Sequence, residues 1–214
     1  MRAVTGWATH RTHPVRRAGP EDVGPLVEVL ARAFDDDPVP RWMFRGEQRR
    51  RRALHAFFRI QLRHTYLAQG EVWTTHDRTG VAMWGPPART RAGWRDVVHL
   101  VPMVPYLVGL GRDVGVATRM LAAVDSARPR QRHWYLATLG TDPDHQGTGV
   151  GTALLHAGLE RVDAEGLPAY LESSKEENLP FYGRHGFEVT GEIRTPRGGP
   201  TLWLMWRAER PPAR

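Results

Sequence analysis

The stretch from Leu139 to Phe187 constrains the chain more than any other, because it sets two chemical stations in one strand–turn–helix–strand–helix order. The first is the turn Asp142-Pro143-Asp144-His145-Gln146-Gly147-Thr148-Gly149-Val150-Gly151, a Q-x-x-G-x-G pattern that follows the apolar run Trp134 to Leu139. An amphipathic helix is expected next, from about Thr148 to Glu165. A glycine-rich turn that opens a helix leaves backbone N–H groups without helical partners, and the peptide dipoles add partial positive charge there. Such an end suits a pyrophosphate, and glycines at 147, 149 and 151 let the backbone approach a bulky anion. The second station is Asn178-Leu179-Pro180-Phe181-Tyr182-Gly183-Arg184-His185-Gly186-Phe187, which follows the short apolar strand Ala169-Tyr170-Leu171. Glycines also punctuate ordinary helix starts, so the ordered context carries the inference. The spacing is not the G-x-G-x-x-G of a dinucleotide fold, although Glu172 follows the second strand where a ribose-binding acid would stand.

A chain of 214 residues with 41% hydrophobic content suits one well-packed domain, expected over 13–209 after a loose tail at 1–12. Val15-Arg16-Arg17 reads as a short first strand, and Pro20-Glu21-Asp22 has helix-start chemistry. Val23, Val27, Leu30, Ala31 and Phe34 share a helical face that ends near Asp35, before Asp36-Asp37-Pro38 breaks the helix. A longer helix is expected over 47–69, then a hairpin of Glu71–Thr75 and Val81–Trp84 around Asp77-Arg78-Thr79-Gly80. Residues 86–130 form an insertion of helical character with proline interruptions, its apolar positions running from Val97 to Leu121. After Phe187 the chain alternates to Ile193, turns at Arg197-Gly198-Gly199 and returns as a last strand from Thr201 to Trp206.

With no cysteine, the chain excludes disulfides, zinc–thiolate sites and cysteine nucleophiles, and it suits the cytoplasm. No signal-peptide core opens it, and the longest apolar stretch, Val97 to Leu110, is too short to span a bilayer. The net charge of +7 is carried almost wholly by arginine. That balance admits nucleic-acid binding but also suits a ligand with several phosphates. The run Arg49-Arg50-Arg51-Arg52 leads into Leu54, Phe57, Phe58, Gln61 and Leu62 at helical spacing, so a solvated helix face explains it and no nucleic-acid partner is expected. The ten histidines show no metal-ligand spacing, and His145 and His185 read as surface or packing residues.

The order of these elements resembles the GNAT superfamily of acetyl-CoA-dependent N-acetyltransferases. Within it, the segments Tyr135-Leu136-Ala137-Thr138-Leu139-Gly140, Pro143-Asp144-His145-Gln146-Gly147, Leu171-Glu172-Ser173-Ser174 and Asn178-Leu179-Pro180-Phe181-Tyr182 resemble the puromycin N-acetyltransferases most. The match is dense over 131–207 and patchy before it, apart from an echo in Ala31-Arg32-Ala33-Phe34-Asp35 and Pro38. The resemblance implies an α/β (α+β) fold: a mixed, mostly antiparallel sheet of six or seven strands flanked by helices, with the insertion between the third and fourth strands. It also implies acetyl-CoA as acyl donor, no metal, and direct transfer to a primary amine of a small molecule, such as an aminonucleoside antibiotic. The cofactor would lie on Leu139, Gly140, Thr141, Gln146, Gly147, Thr148, Gly149, Val150, Gly151, Thr152 and Asn178. Gln146 and Thr148 stand where many relatives carry basic residues, so the phosphate grip leans on backbone.

Several of these residues carry two readings. Tyr182 is the expected proton donor to the leaving thiolate, or a core tyrosine. Glu172 is the expected base for the incoming ammonium, or a charge at a strand end; an aspartate of 35–37 or water are the alternatives. Asn178 is a cofactor contact or a helix N-cap. Phe34, Asp35, Asp37 and Trp42 form the expected substrate wall, or an acidic loop that ends a helix. Two other functions compete: a non-catalytic acyl-CoA-binding regulatory module, and an acetyltransferase acting on a protein amine. A monomer or a homodimer fits equally.

Overall fold

The computed structural model describes residues 13–69, 71–87, 114–195 and 198–210. Its elements, in chain order, start with β1 (Val15–Arg17), α1 (Val23–Ala33), α2 (Pro38–Met43) and α3 (Glu47–Ile60). The last of these runs on through a π-helical segment, Gln61–Tyr66, into a final turn, Leu67–Gln69. Then come β2 (Val72–Thr75), β3 (Gly80–Gly85), α4 (Val114–Ala127), β4 (Trp134–Thr141) and α5 (Val150–Ala164). The chain ends with β5 (Ala169–Ser173), α6 (Leu179–Arg184), β6 (Glu188–Arg194) and β7 (Thr201–Arg207).

The strands form a seven-stranded sheet in the order β1-β2-β3-β4-β5-β7-β6. Every neighbouring pair is antiparallel except β4–β5, the pair that needs a crossover helix, and α5 supplies it. The expected mixed, mostly antiparallel α/β sheet is what forms, with α4 between the third and fourth strands. The tail at 1–12 and residues 88–113 of the insertion lie outside the described residues.

Helices cover both faces because each carries an apolar stripe. On α5, Val150, Leu154, Leu155, Leu159 and Val162 recur at helical spacing and are buried against Ala82, Trp84, Trp134, Leu136, Leu171 and Met205. On the opposite face Val23, Leu26, Val27 and Leu30 of α1 join Leu54 and Phe58 of α3 over Val72, Val81 and Met83. Leu62 and Tyr66 of the π-helical segment complete that layer. The arginine run lies on α3 as expected, with Arg50 and Arg51 turned to acids: Arg50 Nε reaches Asp35 at 3.1 Å and Arg51 reaches Glu47 at 2.8 Å.

Strand β4 carries a bulge. Met83 pairs with Thr138 and Trp84 with Leu136, so Ala137 is skipped and the strand's faces reverse beyond it. Before the bulge Trp134 and Leu136 feed the α5 core. After it Gly140 faces α1 so closely that a Cβ would stand 2.8 Å from Leu30 Cδ2, which only glycine avoids.

A part-buried ion pair ties the last strand to α5, its arginine enclosed and its aspartate 32% exposed. The Arg207 side chain is 2% exposed, and its two terminal nitrogens reach the Asp163 oxygens at 2.6 and 2.8 Å. Its Nε donates to the His185 carbonyl at 3.1 Å. Removing one partner of such a pair leaves an uncompensated buried charge. Asp163→Ala is therefore expected to lower unfolding free energy by about 2 kcal/mol in urea titration, less than for a fully enclosed pair because Asp163 is partly solvated.

Candidate active site

The site grows out of the one parallel junction. Strands β4 and β5 are paired only at Trp134–Ala169 and Tyr135–Tyr170. Beyond those pairs β4 stays with β3 as far as Thr141–Gly80, while β5 stays with β7 as far as Ser173–Trp203. The strands no longer pair between Leu136–Thr141 and Leu171–Ser173, which leaves a slot between their facing edges.

The glycine turn closes the wide end of the slot. Asp142 caps the turn by accepting from Asp144 N at 3.0 Å, and Arg32 of α1 clamps it from outside, reaching Asp142 at 2.9 Å and Asp144 at 2.8 Å. Gly147 and Gly149 take φ of +74° and +100°, where side chains are strained. The first turn of α5 starts with Ala153 N–H bonded to the Gly149 carbonyl, so the amides ahead of it end the helix without helical partners. No atom lies within 4 Å of the place a Cβ would occupy at Gly147. This open cradle of amides fits a diphosphate.

The expected cofactor residues fall into two groups. Gln146, Gly147, Thr148 and Gly149 form the exposed turn, with Thr148 Oγ1 donating to the His145 carbonyl at 2.7 Å and Gln146 Nε2 donating to the Thr141 carbonyl at 3.4 Å. Val150 is buried, so only its backbone faces the turn, while Gly151 sits between Thr141 and the Phe181 ring and Thr152 is half-buried. Leu139 packs on the α5 core and Gly140 lies under α1. Asn178 precedes α6 but makes no side-chain cap bond, and it is exposed. His13 was not foreseen: its Nε2 lies 2.9 Å from the Thr148 carbonyl, bracing the turn from 135 residues away, and no local pattern signals such a contact.

Tyr182 and Glu172 stand on opposite faces of the sheet. The Tyr182 ring belongs to the α5 core, edge-on to Phe181 at 5.1 Å and Phe187 at 6.1 Å. Burial pushes its phenol well above the usual range, and the negative charge of Asp37 pushes it further. Leu171 shares that core, and the alternation of β5 turns Tyr170 and Glu172 the other way. There Glu172 Oε2 accepts from the Tyr135 hydroxyl at 2.7 Å, while Oε1 is shut off from solvent without a partner. Burial raises the Glu172 carboxyl above the ordinary range, opposed by the Tyr135 bond, the charge of Arg128 and the nearby Tyr170 hydroxyl.

The acidic loop reaches the slot through one residue. Asp37 is buried, accepts from Val39 N at 2.9 Å and from the Ser174 hydroxyl just past β5, and has its carboxyl raised mainly by burial. Asp36 pairs with Lys175 at 2.6 Å. Asp35 is turned to Arg50 on α3, and Phe34 packs on Phe58 at 5.2 Å. The Trp42 indole lies against the β6–β7 turn, 2.6 Å from where a Gly199 Cβ would stand. Of the four expected wall residues, Asp37 alone has a charge that acts on Tyr182. His185 meets His156 at 3.1 Å and Phe181 at 5.0 Å, a packing arrangement. A shallow cleft of about 330 Å³, walled by Glu28, Arg32, Asp35, Arg51 and His55, includes neither Tyr182 nor Glu172, so the slot is the better candidate.

A family model for the acetyltransferase (GNAT) family matches residues 74–187, more than half of the chain. The chain belongs to the GNAT acetyltransferase family. Similar proteins include an uncharacterized N-acetyltransferase of Schizosaccharomyces pombe, 28% identical over 191 residues, covering 85% of this chain and 77% of that one. A mycothiol acetyltransferase of Propionibacterium freudenreichii is 39% identical over 70 residues, 31% of this chain and 22% of the relative. Among solved structures, a histone acetyltransferase HPA2 and related acetyltransferase from Corynebacterium glutamicum aligns with a TM-score of 0.66 and 26% identity, covering 94% of this chain and 98% of that one. The PaiA N-acetyltransferase from Thermoplasma acidophilum, in complex with coenzyme A, shares the fold at a TM-score of 0.54 and 12% identity, covering 91% and 98%. As a GNAT acetyltransferase the chain is an enzyme. Among its described residues no group of three or more His, Cys, Asp or Glu could hold a metal ion, and no helix is long and apolar enough to cross a membrane.

Gly149→Ala tests the cradle. Its left-handed backbone strains a side chain by about 1–2 kcal/mol. Calorimetric titration is expected to show coenzyme A binding weakened at least severalfold, with the fold retained by circular dichroism.

Proposed function

We propose that this GNAT chain is an acetyl-CoA-dependent N-acetyltransferase that moves the acetyl group directly to a primary amine of a small molecule. The observation that carries the reading is the slot itself: an amide-lined turn at its wide end, a phenol on one face and a partnerless carboxylate oxygen on the other. Acetyl-CoA would supply an acetyl group already activated as a thioester. Its diphosphate would be held by the amides of 147–152, with Gln146 and Asn178 as polar neighbours, and its acyl end by the backbone of Leu139, Gly140 and Thr141.

The chain's own groups then divide the proton traffic. Glu172 Oε1 takes the proton that an ammonium must lose before its nitrogen can attack, and its raised affinity for protons brings it closer to working pH. Tyr182 Oη holds the proton that a departing thiolate needs, and a phenol raised by burial stays protonated for that task. Alignment in a narrow slot adds the rest of the rate. Asp37 has both oxygens engaged, which favours a structural part for it over that of base.

An aminonucleoside such as puromycin is the first acceptor to try, because the chain's segments over 131–207 resemble the puromycin N-acetyltransferases. The likeness to the Corynebacterium structure makes a lysine-bearing histone peptide the second. Free-thiol release should be followed with acetyl-CoA across a panel of small amines that contains both. Release that depends on a small amine supports the reading; release with the peptide alone turns it towards a protein amine; none with any acceptor leaves an acyl-CoA-binding module.

With the amine turned over best, Tyr182→Phe is expected to lower kcat about 100-fold while leaving the KM for acetyl-CoA within about threefold. Equal turnover would remove the phenol from the chemistry.

A further inference from the structure

The face of the sheet that carries Glu172 holds a polar cluster that the family motifs do not account for. Tyr135 on β4 donates to Glu172 Oε2 at 2.7 Å, and its ring lies under the Arg128 guanidinium, 4.2 Å from centroid to Cζ. Tyr170 on β5 stacks on Tyr135 at 6.1 Å, and its buried hydroxyl acts on the Glu172 carboxyl without reaching good hydrogen-bond geometry. The charges of Arg128 and Glu172 act on each other, yet Arg128 Nε is likewise buried and partnerless. Tyr66 faces the cluster from the π-helical segment, Asp125 lies near Arg128 on α4, and His133 packs edge-on to Tyr170 at 5.5 Å and to Trp206 of β7 at 5.7 Å.

Burying a carboxylate, a guanidinium and three phenols on one face is costly unless their charges and hydrogen bonds compensate one another. Here the compensation stops short at Glu172 Oε1, Tyr170 Oη and Arg128 Nε. A cluster built only to fill the fold would have left aromatic or aliphatic carbon in those places. One oxygen of Glu172 is fixed by Tyr135; the other has only the Tyr170 hydroxyl near it, outside good hydrogen-bond geometry, and so keeps room for a further partner.

We infer that Tyr135 and Arg128 are positioning residues: Tyr135 anchors Glu172 Oε2 and Arg128 supplies the facing charge, so that Oε1 is presented to the amine of the acceptor. This rests on the reading of Glu172 as the base. The step is a proton transfer in which the ammonium gives one proton to Oε1 and its nitrogen keeps the electron pair for attack. Tyr135 and Arg128 touch neither partner; they act through the carboxylate. Both favour its charged form, the phenol by donating a hydrogen bond and the guanidinium by its field, so each sets the pH above which the base is ready.

The sign follows from that. Taking away either group makes the charged carboxylate less favourable, so its midpoint of titration must rise. Carboxyl carbon NMR of the protein carrying 13Cδ-labelled glutamate reads this midpoint with no acceptor present, and Glu172→Gln assigns the signal. Tyr135→Phe is expected to raise the midpoint by about one pH unit, the size of one charge-assisted hydrogen bond. Arg128→Gln should raise it as well, and Arg128→Lys should restore it. With the amine from the panel that is turned over best, the acid limb of kcat/KM should move upward by the same amount in each variant, with the KM for acetyl-CoA unchanged. A midpoint or acid limb that stays put in both Tyr135→Phe and Arg128→Gln overturns the inference; one folded variant of the two is enough to read it. Full turnover by Glu172→Gln would sink the assignment of the base instead, whatever the titration of its carboxyl shows.

Discussion

The parting of β4 from β5 is the constraint on which the rest depends. Two parallel strands held together by two register pairs leave the facing edges of both without each other's hydrogen bonds over their outer halves. The separation persists because each strand has a better partner on its far side: β3 follows β4 to Thr141, and β7 follows β5 to Ser173. The bulge at Ala137 contributes by turning the outer half of β4 over, so that Gly140 meets α1 while Thr141 meets the start of α5. Sheet, bulge and crossover helix thereby produce one opening with chemically different walls.

Those walls are set by electrostatics as much as by shape. The phenol of Tyr182 is enclosed by apolar rings and the nearby charge of Asp37, both of which hold the proton on it. Across the sheet, Glu172 is also raised by burial, but a phenol and a guanidinium restrain the shift. Two groups that would otherwise differ by several pH units are each moved by burial, one towards permanent protonation and one towards neutral pH. The two groups thus stand on separate faces of the sheet, where neither hydrogen-bonds the other.

Most of the C-terminal half was legible from the residues. Alternation and turn chemistry announced β4 to β7 and α5, and the positive φ of Gly147 and Gly149 is what the spacing of those glycines asked for. The hairpin of β2 and β3 and helices α1 and α3 also formed where periodicity put them, whereas the short α2 at Pro38–Met43 was not expected. What the residues did not disclose is contact at long range. Arg128, Tyr135 and Tyr170 look like an ordinary helix-end arginine and two strand aromatics until β4 and β5 are set side by side. Nor did the aspartates of 35–37 declare which of them would turn inward, since that depends on Arg50 and Lys175 capturing the other two. The π-helical widening of 61–66 has no pattern of its own, because apolar spacing at Leu62 and Tyr66 reads as an α-helix.

The placement of β7 between β5 and β6 has a consequence for how the enzyme comes to life on the ribosome. Glu172 and its strand are made well before Thr201–Arg207, which pairs with β5 residue for residue from Ala169 to Ser173. Until that last strand emerges, β5 has a bare outer edge and Asp163 has no arginine to hold. A nascent chain can therefore complete its glycine turn and α5 early, while the strand that carries Glu172 gains its outer partner only with the closing hairpin.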